Sequence, residues 1–147
     1  MMRRKNTPIL EILVDIRRDE IVEMTGPTGT VRMIPFGGTV KGPLFHGIVE
    51  PCGVDTQVTN LSAVRHMSAR YMLTGEDCEG HACHIYVENN AWFTDGARPQ
   101  PFKTIPTFMT GSPALAPILH RGGIVGEGHR EEEGLWIRYF ETEGDAN

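Results

Sequence analysis

Short apolar runs recur along the whole chain, and each is broken by glycine, proline, asparagine or aspartate before it reaches the length of a stable helix. Within several of them apolar and polar residues alternate with a period of two, the signature of strands that bury one face. The pattern predicts strands at Ile9 to Ile16, Glu20 to Met24, Thr30 to Pro35, Thr39 to Glu50, Asp55 to Thr59, Val64 to Leu73, Ala82 to Glu88, Phe102 to Met109, Gly123 to Gly126 and Leu135 to Glu141. One segment reads as a helix. In "GSPALAPILHR", Ser112 can cap and Pro113 sits where its missing N–H costs nothing, while Pro117 in the interior limits the helix to a turn or two. "ENNAWFTDGARPQPF", residues 88 to 102, reads as the longest loop, and its Trp92 and Phe93 suggest a lid over an opening. Gly37-Gly38 and Gly122-Gly123 read as bulges or turns.

Eight or more strands with hardly any helix must hide their apolar faces against each other, and closure also removes unpaired edges. The expectation is an all-β fold, a single closed antiparallel β-barrel of about eight to ten strands with one short helix, wide enough for one small ligand. A chain of 147 residues suits one such domain, residues 1 to 147, with flexible tails at 1–7 and 142–147. The 17 glycines and 10 prolines fit a turn-rich chain of short strands. A net charge of -5, with basic residues clustered only in "RRK" at 3 to 5, argues against nucleic acid as a partner. The N-terminal "MMRRKNTPILEILVDI" imitates a signal peptide, but Glu11 and Asp15 interrupt its apolar run, and it reads as the first strand. No stretch reaches the length of a membrane-spanning helix. Three cysteines without a secretion signal point to reduced thiols and a cytoplasmic location.

The most chemical-looking string is "CEGHACH", residues 78 to 84. Cys78, His81, Cys83 and His84 are the residue types that zinc prefers. Adjacent Cys83 and His84 would nevertheless point to opposite faces of a strand, and no second Cys/His cluster waits elsewhere to be joined. The string therefore reads as a hairpin tip, with no metal. The remaining histidines are scattered singly, and no nucleophile elbow, phosphate-binding loop or dinucleotide fingerprint occurs.

Polar groups embedded in the strands admit two readings. In the plainer one, Val54, Val58, Tyr71, Ile85 and Val87 line the core, and the charged residues, Asp55, Arg70 and Glu88, face water. In the other, some polar faces point into the barrel, where an isolated charge is costly, so Asp55 and Arg70 would pair. A carboxylate placed there can serve as a general base, with the guanidinium holding a developing oxyanion.

The segments "IPFGGTVKGPLFHGIVEPCGVDTQ", "ARYMLTGEDCEGHACHIYVENN", "FKTIPTFMTGSP" and "GGIVGEGHR" occur in this order over roughly residues 8 to 140, and together they resemble the domain of unknown function 3237 family. The resemblance implies a lipocalin-like antiparallel barrel, often oligomeric, with no established reaction. It mildly favours an enzyme or binder of a small apolar, carbonyl-bearing or aromatic compound. It also places Asp55 and Gln57 on the family's Gly-Gly-x-Asp-x-Gln segment, Arg70 and Tyr71 on its Ala-Arg-Tyr segment and Tyr86 on its Ile-Tyr segment. Lys103 stands where arginine is usual. Cys52 replaces the first glycine of the pair, "PALAPILHRGG" replaces an aromatic-rich segment, and the turn at 78–84 is longer than the family's.

Two functions are then expected to compete. One is a cofactor-independent lyase, isomerase or cyclase in which Asp55 moves a proton and Arg70 holds the oxyanion. Around them Gln57, Tyr71, Tyr86, Glu88, Trp92 and Lys103 would contact a small hydrophobic substrate. The other is a non-catalytic barrel that carries or senses the same class of molecule.

Overall fold

The computed structural model describes residues 3–94 and 99–143. Among them ten strands form, β1 (Arg3–Arg4), β2 (Leu10–Ile16), β3 (Val22–Gly26), β4 (Gly29–Lys41), β5 (Phe45–Asn60), β6 (Arg65–Asp77), β7 (Ala82–Phe93), β8 (Phe102–Thr110), β9 (Ile124–Glu131) and β10 (Gly134–Glu143), with one helix, α1 (Ala116–Leu119). Strands β2, β4, β5, β6, β7, β8, β9 and β10 pair in that order, and β10 pairs back to β2, so eight antiparallel strands close a barrel. The short β1 extends β10, and β3 pairs with β4 as a hairpin. The all-β closed barrel expected from the alternation is the fold observed.

Alternation explains why the barrel closes around its core. Along β6, Met67, Ala69, Tyr71 and Leu73 point inward and are buried, while Arg70 between them is exposed. On β7 the inward set is Ile85, Val87, Asn89, Ala91 and Phe93. Leu10, Ile12, Leu73, Ile85 and Val87 are entirely buried, each contributing on the order of 1.5–3 kcal/mol of transfer free energy. Leu115 and Leu119, from the α1 segment, and Phe45 join the same core.

The long strands bend to follow the wall. β4 and β5 shift register between Phe36 and Gly38, and β5 and β6 between Val49 and Val54, so each carries a bulge that tightens its curvature. Gly38 has φ of 150° and lies against the Leu13 carbonyl, where a Cβ would come within 2.3 Å, so this corner requires glycine. The expected strand Thr39 to Glu50 is in fact broken by a turn at 42–44, where Gly42 and Pro43 interrupt the run. Conversely, Glu50 and Asp55 belong to one continuous strand. Pro51 offers no N–H, but it sits inside the bulge, where no ladder bond requires one.

Other differences are local. Ser112 and Pro113 precede the helix rather than open it. The Ser112 hydroxyl accepts from the Leu115 N–H (3.2 Å), and α1 starts at Ala116, with Pro117 in its first turn. Trp92 and Phe93, read above as loop, end β7. Residues 95–98 of the expected lid lie outside the described residues. The expected tails are partly paired, Arg3 with Glu143 and Arg4 with Thr142, and residues 1–2 and 144–147 lie outside the described residues. No helix among the described residues is long and apolar enough to cross a membrane.

Candidate functional site

The inner faces of β2, β4, β5, β6 and β10 enclose a cavity of about 250 Å³. Its walls mix polar and charged side chains with apolar ones, Ile12, Val14, Ile34, Phe36, Met67 and Ile137 prominent among the latter. Gly53 contributes by having no side chain. A Cβ there would stand 2.9 Å from the Phe36 carbonyl oxygen and 3.1 Å from the Tyr71 Cβ, so glycine lets both rings approach the β5 backbone. Phe36 and Tyr71 then meet edge to face, their centroids 5.2 Å apart.

Into this cavity β5 sends Asp55 and Gln57. They sit two residues apart on one face, and Gln57 Nε2 donates to Asp55 Oδ2 (2.9 Å), which fixes the carboxylate. Ala69 lies directly across the β5–β6 ladder from Asp55, and its small side chain leaves the carboxylate room. Tyr71, two residues further along β6, also lines the cavity, and its hydroxyl hydrogen-bonds that of Tyr139. Burial pushes both phenols above their ordinary range, so the pair stays neutral and one O–H remains available as a donor. Asn89 from β7 completes the polar set and is 1% exposed.

Arg70 is not part of this site. It follows Ala69 on β6 and therefore points outward, where it meets Glu88 at 3.4 Å and keeps two thirds of its side chain in solvent. The Asp55–Arg70 pair expected from the sequence is thus corrected, because its two members lie on opposite faces of the wall. Tyr86 and Glu88 also lie on the outer face of β7. Trp92 is exposed there too, stacked on His66 with centroids 4.7 Å apart, and Lys103 points outward from β8. Of the eight expected site residues, the cavity brings together Asp55, Gln57 and Tyr71.

The plainer face assignment is right for Tyr71, Ile85 and Val87 and wrong for Val54 and Val58, of which Val58 is 43% exposed. Both members of the β5 alternation, "V-D-T-Q-V", can face either way, and only the closed barrel decides between them. Sequence reasoning missed Arg65, Asn89, Arg130 and Tyr139. Arg65 and Asn89 did carry a signal. Arg65 has the parity of Met67 and Tyr71, and Asn89 that of Ile85 and Val87, so extending each alternation by one step places them inside.

"CEGHACH" sits at the opposite end of the barrel, as the turn between β6 and β7. Asp77 organises it. Its carboxylate accepts from the Glu79 and His81 N–H groups (2.9 and 3.0 Å) and from the Ser112 hydroxyl (2.8 Å). The Ser112 bond first, then the His81 N–H, hold the Asp77 carboxyl below the usual carboxylate range. Burial pushes the Cys83 thiol up, which disfavours the thiolate a metal would need. Among the described residues no three His, Cys, Asp or Glu side chains converge as metal ligands. Because Asp77 titrates lower in the folded chain, its stabilisation is fully present above the ordinary value of about 3.9 and is lost as the pH falls through the depressed value. Thermal melts across the acid range should therefore show Asp77→Asn flattening the limb below about pH 4 and lowering the midpoint at neutral pH. An unchanged acid limb would mean that the turn is held by other groups.

Fold and site together define a closed antiparallel β-barrel whose interior holds a cavity lined by apolar, polar and charged side chains. The chain belongs to the family described as "Protein of unknown function (DUF3237)", which it matches over residues 5–142. It is 30% identical over 120 residues to a UPF0311 protein of Clostridium acetobutylicum, covering 71% of this chain and 73% of that one. A protein of unknown function from C. acetobutylicum has a solved structure that superposes with a TM-score of 0.75 at 26% identity, covering 97% of this chain and 98% of that one. A conserved protein of unknown function from Rhodopseudomonas palustris gives 0.74 at 25% identity, covering 97% and 99%. A β-barrel-like protein from Acinetobacter baumannii gives 0.72 at 22%, covering 96% and 97%, a likeness of fold alone.

Proposed function

We propose that the protein is a cofactor-independent enzyme that moves a proton on a small, largely apolar, carbonyl-bearing molecule held in the barrel, a lyase, isomerase or cyclase in type. The observation that supports this reading is Asp55. Among the described residues lining the cavity it is the one carboxylate, and it is braced by Gln57 between walls that mix apolar side chains with other polar and charged ones. In such a setting a carboxylate can take a proton from the carbon next to a carbonyl. The C–H electron pair moves into the enolate, whose oxygen accepts a hydrogen bond from Tyr71, the neutral donor that replaces Arg70 in this role. The proton then returns at another carbon, or a β-substituent leaves with its electron pair. In ring closure the enolate carbon instead adds to a second carbonyl of the same molecule, whose π pair moves to its oxygen and takes the proton back from Asp55; isomerisation, elimination and ring closure differ only in that last step.

A second reading, a carrier or sensor, draws support from arginines near the cavity mouth that could hold a ligand by its head group. The two readings separate in heavy water. A small-molecule extract incubated in D₂O with the protein should contain carbonyl compounds that gain deuterium, read by mass spectrometry. Ligands retained by the protein but never labelled or converted would favour the carrier.

A further inference from the structure

The cavity mixes charges in a way that Asp55 alone does not account for. Among its described lining residues four are arginines, Arg18, Arg32, Arg65 and Arg130, in a chain whose net charge is -5. Their places in the topology put them at one end of the barrel. Arg18 follows the end of β2, Arg32 lies near the start of β4, Arg65 opens β6 and Arg130 is next to the last residue of β9. Arg32 is engaged by Glu23 at 3.2 Å. Arg18, Arg65 and Arg130 form no ion pair among the described residues.

Arg65 is the most informative of the four. Its guanidinium lies 5.1 Å from the Phe93 ring centroid, and its Nε is buried without a hydrogen-bond acceptor. A buried charged donor left unsatisfied is costly, and an Nε–H beside an Nη–H is the fork that an oxyanion fills with two parallel bonds. Deeper in, Asn89 is 1% exposed and its Oδ1 likewise lacks a partner, although it lines the same space. A barrel evolved only to pack its own core has no use for either group.

Resting on the reading of the cavity as a small-molecule site, we propose that its ligand is an organic oxyanion with an apolar body. The carboxylate or phosphate head is held by Arg65, with Arg18 and Arg130 adding to the positive field at the mouth. The body lies against Ile34, Phe36 and Met67. The ring of guanidiniums also draws anions from solution toward a protein that would otherwise repel them.

Isothermal titration with 3-phenylpropanoate, 3-phenylpropanol and phenyl phosphate tests this on the full chain. The acid should bind about tenfold or more tightly than the alcohol, a difference that shrinks at high salt. Arg65→Gln, and independently Arg130→Gln, should bring acid and alcohol close together, whereas Arg70→Gln on the outer wall should leave the preference intact. Phenyl phosphate binding more tightly than the acid would assign the head as a phosphate, and weaker binding as a carboxylate. Alcohol binding as tightly as both anions would overturn the inference and leave the cavity site standing. A preference for anions that survives both substitutions would overturn it equally. If none of the three binds, the inference and the small-molecule site fall together.

Discussion

Asp55→Asn should lower deuterium incorporation roughly 10²- to 10⁴-fold, the range expected on removing a general base. The substitution is nearly isosteric, and the asparagine Oδ1 can still accept from Gln57 Nε2, so the local hydrogen bond at 2.9 Å has a substitute. Folding and ligand affinity should therefore change little while exchange collapses. Gln57→Ala should act in the same direction more weakly, because it removes one hydrogen bond from the carboxylate without removing the carboxylate. Arg70→Gln, at the residue expected from the sequence to hold the oxyanion, should be silent, since Arg70 pairs with Glu88 on the outside of the wall. Full exchange by Asp55→Asn would remove the carboxylate from the mechanism.

Gly75→Val should destabilise the fold by about 3 kcal/mol or more, a large share of the stability of a domain this size. Gly75 on β6 lies opposite Gly47 on β5, and the two backbones pass so closely that a Cβ at Gly75 would fall 2.0 Å from the His46 carbonyl oxygen and 2.7 Å from the Gly47 Cα. The obstacle is backbone rather than a movable side chain, so the ladder itself must open. Gly47→Val should behave alike, with 2.1 Å to the Thr74 carbonyl oxygen. Gly111→Ala provides the contrast. Nothing lies within 4 Å of its Cβ position and its φ is not left-handed, so alanine should be neutral or stabilising by up to about 1 kcal/mol. Urea unfolding of the three variants measures the difference, and a Gly75→Val midpoint equal to that of Gly111→Ala would refute the close approach.

Much of the fold is legible in the sequence because a strand's period is short and its punctuation is chemical. Gly37-Gly38 marks a bulge, "CEGHACH" a turn and Pro117 a helix of a single turn, as expected from residues whose backbone preferences are strong. Other features depend on the closed wall. Nothing local says that "PCG" at 51–53 continues a strand, because a proline there is tolerated only once the Val49–Val54 register shift has removed the ladder bond. Which face of β5 turns inward is equally hidden, since valines flank Asp55 and Gln57 symmetrically. The site is therefore half readable. Asp55, Gln57 and Tyr71 can be named from the sequence as candidates without their facing, whereas Arg65 and Asn89 emerge only when the parity of the neighbouring core is carried to the strand ends. Arg18 keeps the parity of Leu10 and Ile12 but lies beyond the end of β2, and Arg130 follows Gly126 and Gly128, whose missing side chains mark no face.

The central claim is that chemistry happens inside the barrel beside Asp55, and filling that space tests it most directly. Ala69 faces Asp55 across the ladder and lines the cavity, so Ala69→Phe puts a ring where the ligand would sit, while Arg70→Gln changes the very next residue on the outer wall. Deuterium incorporation by wild type and both variants, each verified as folded, should be lost in Ala69→Phe and retained in Arg70→Gln. Exchange at the wild-type rate in Ala69→Phe would contradict the placement of the site in the cavity.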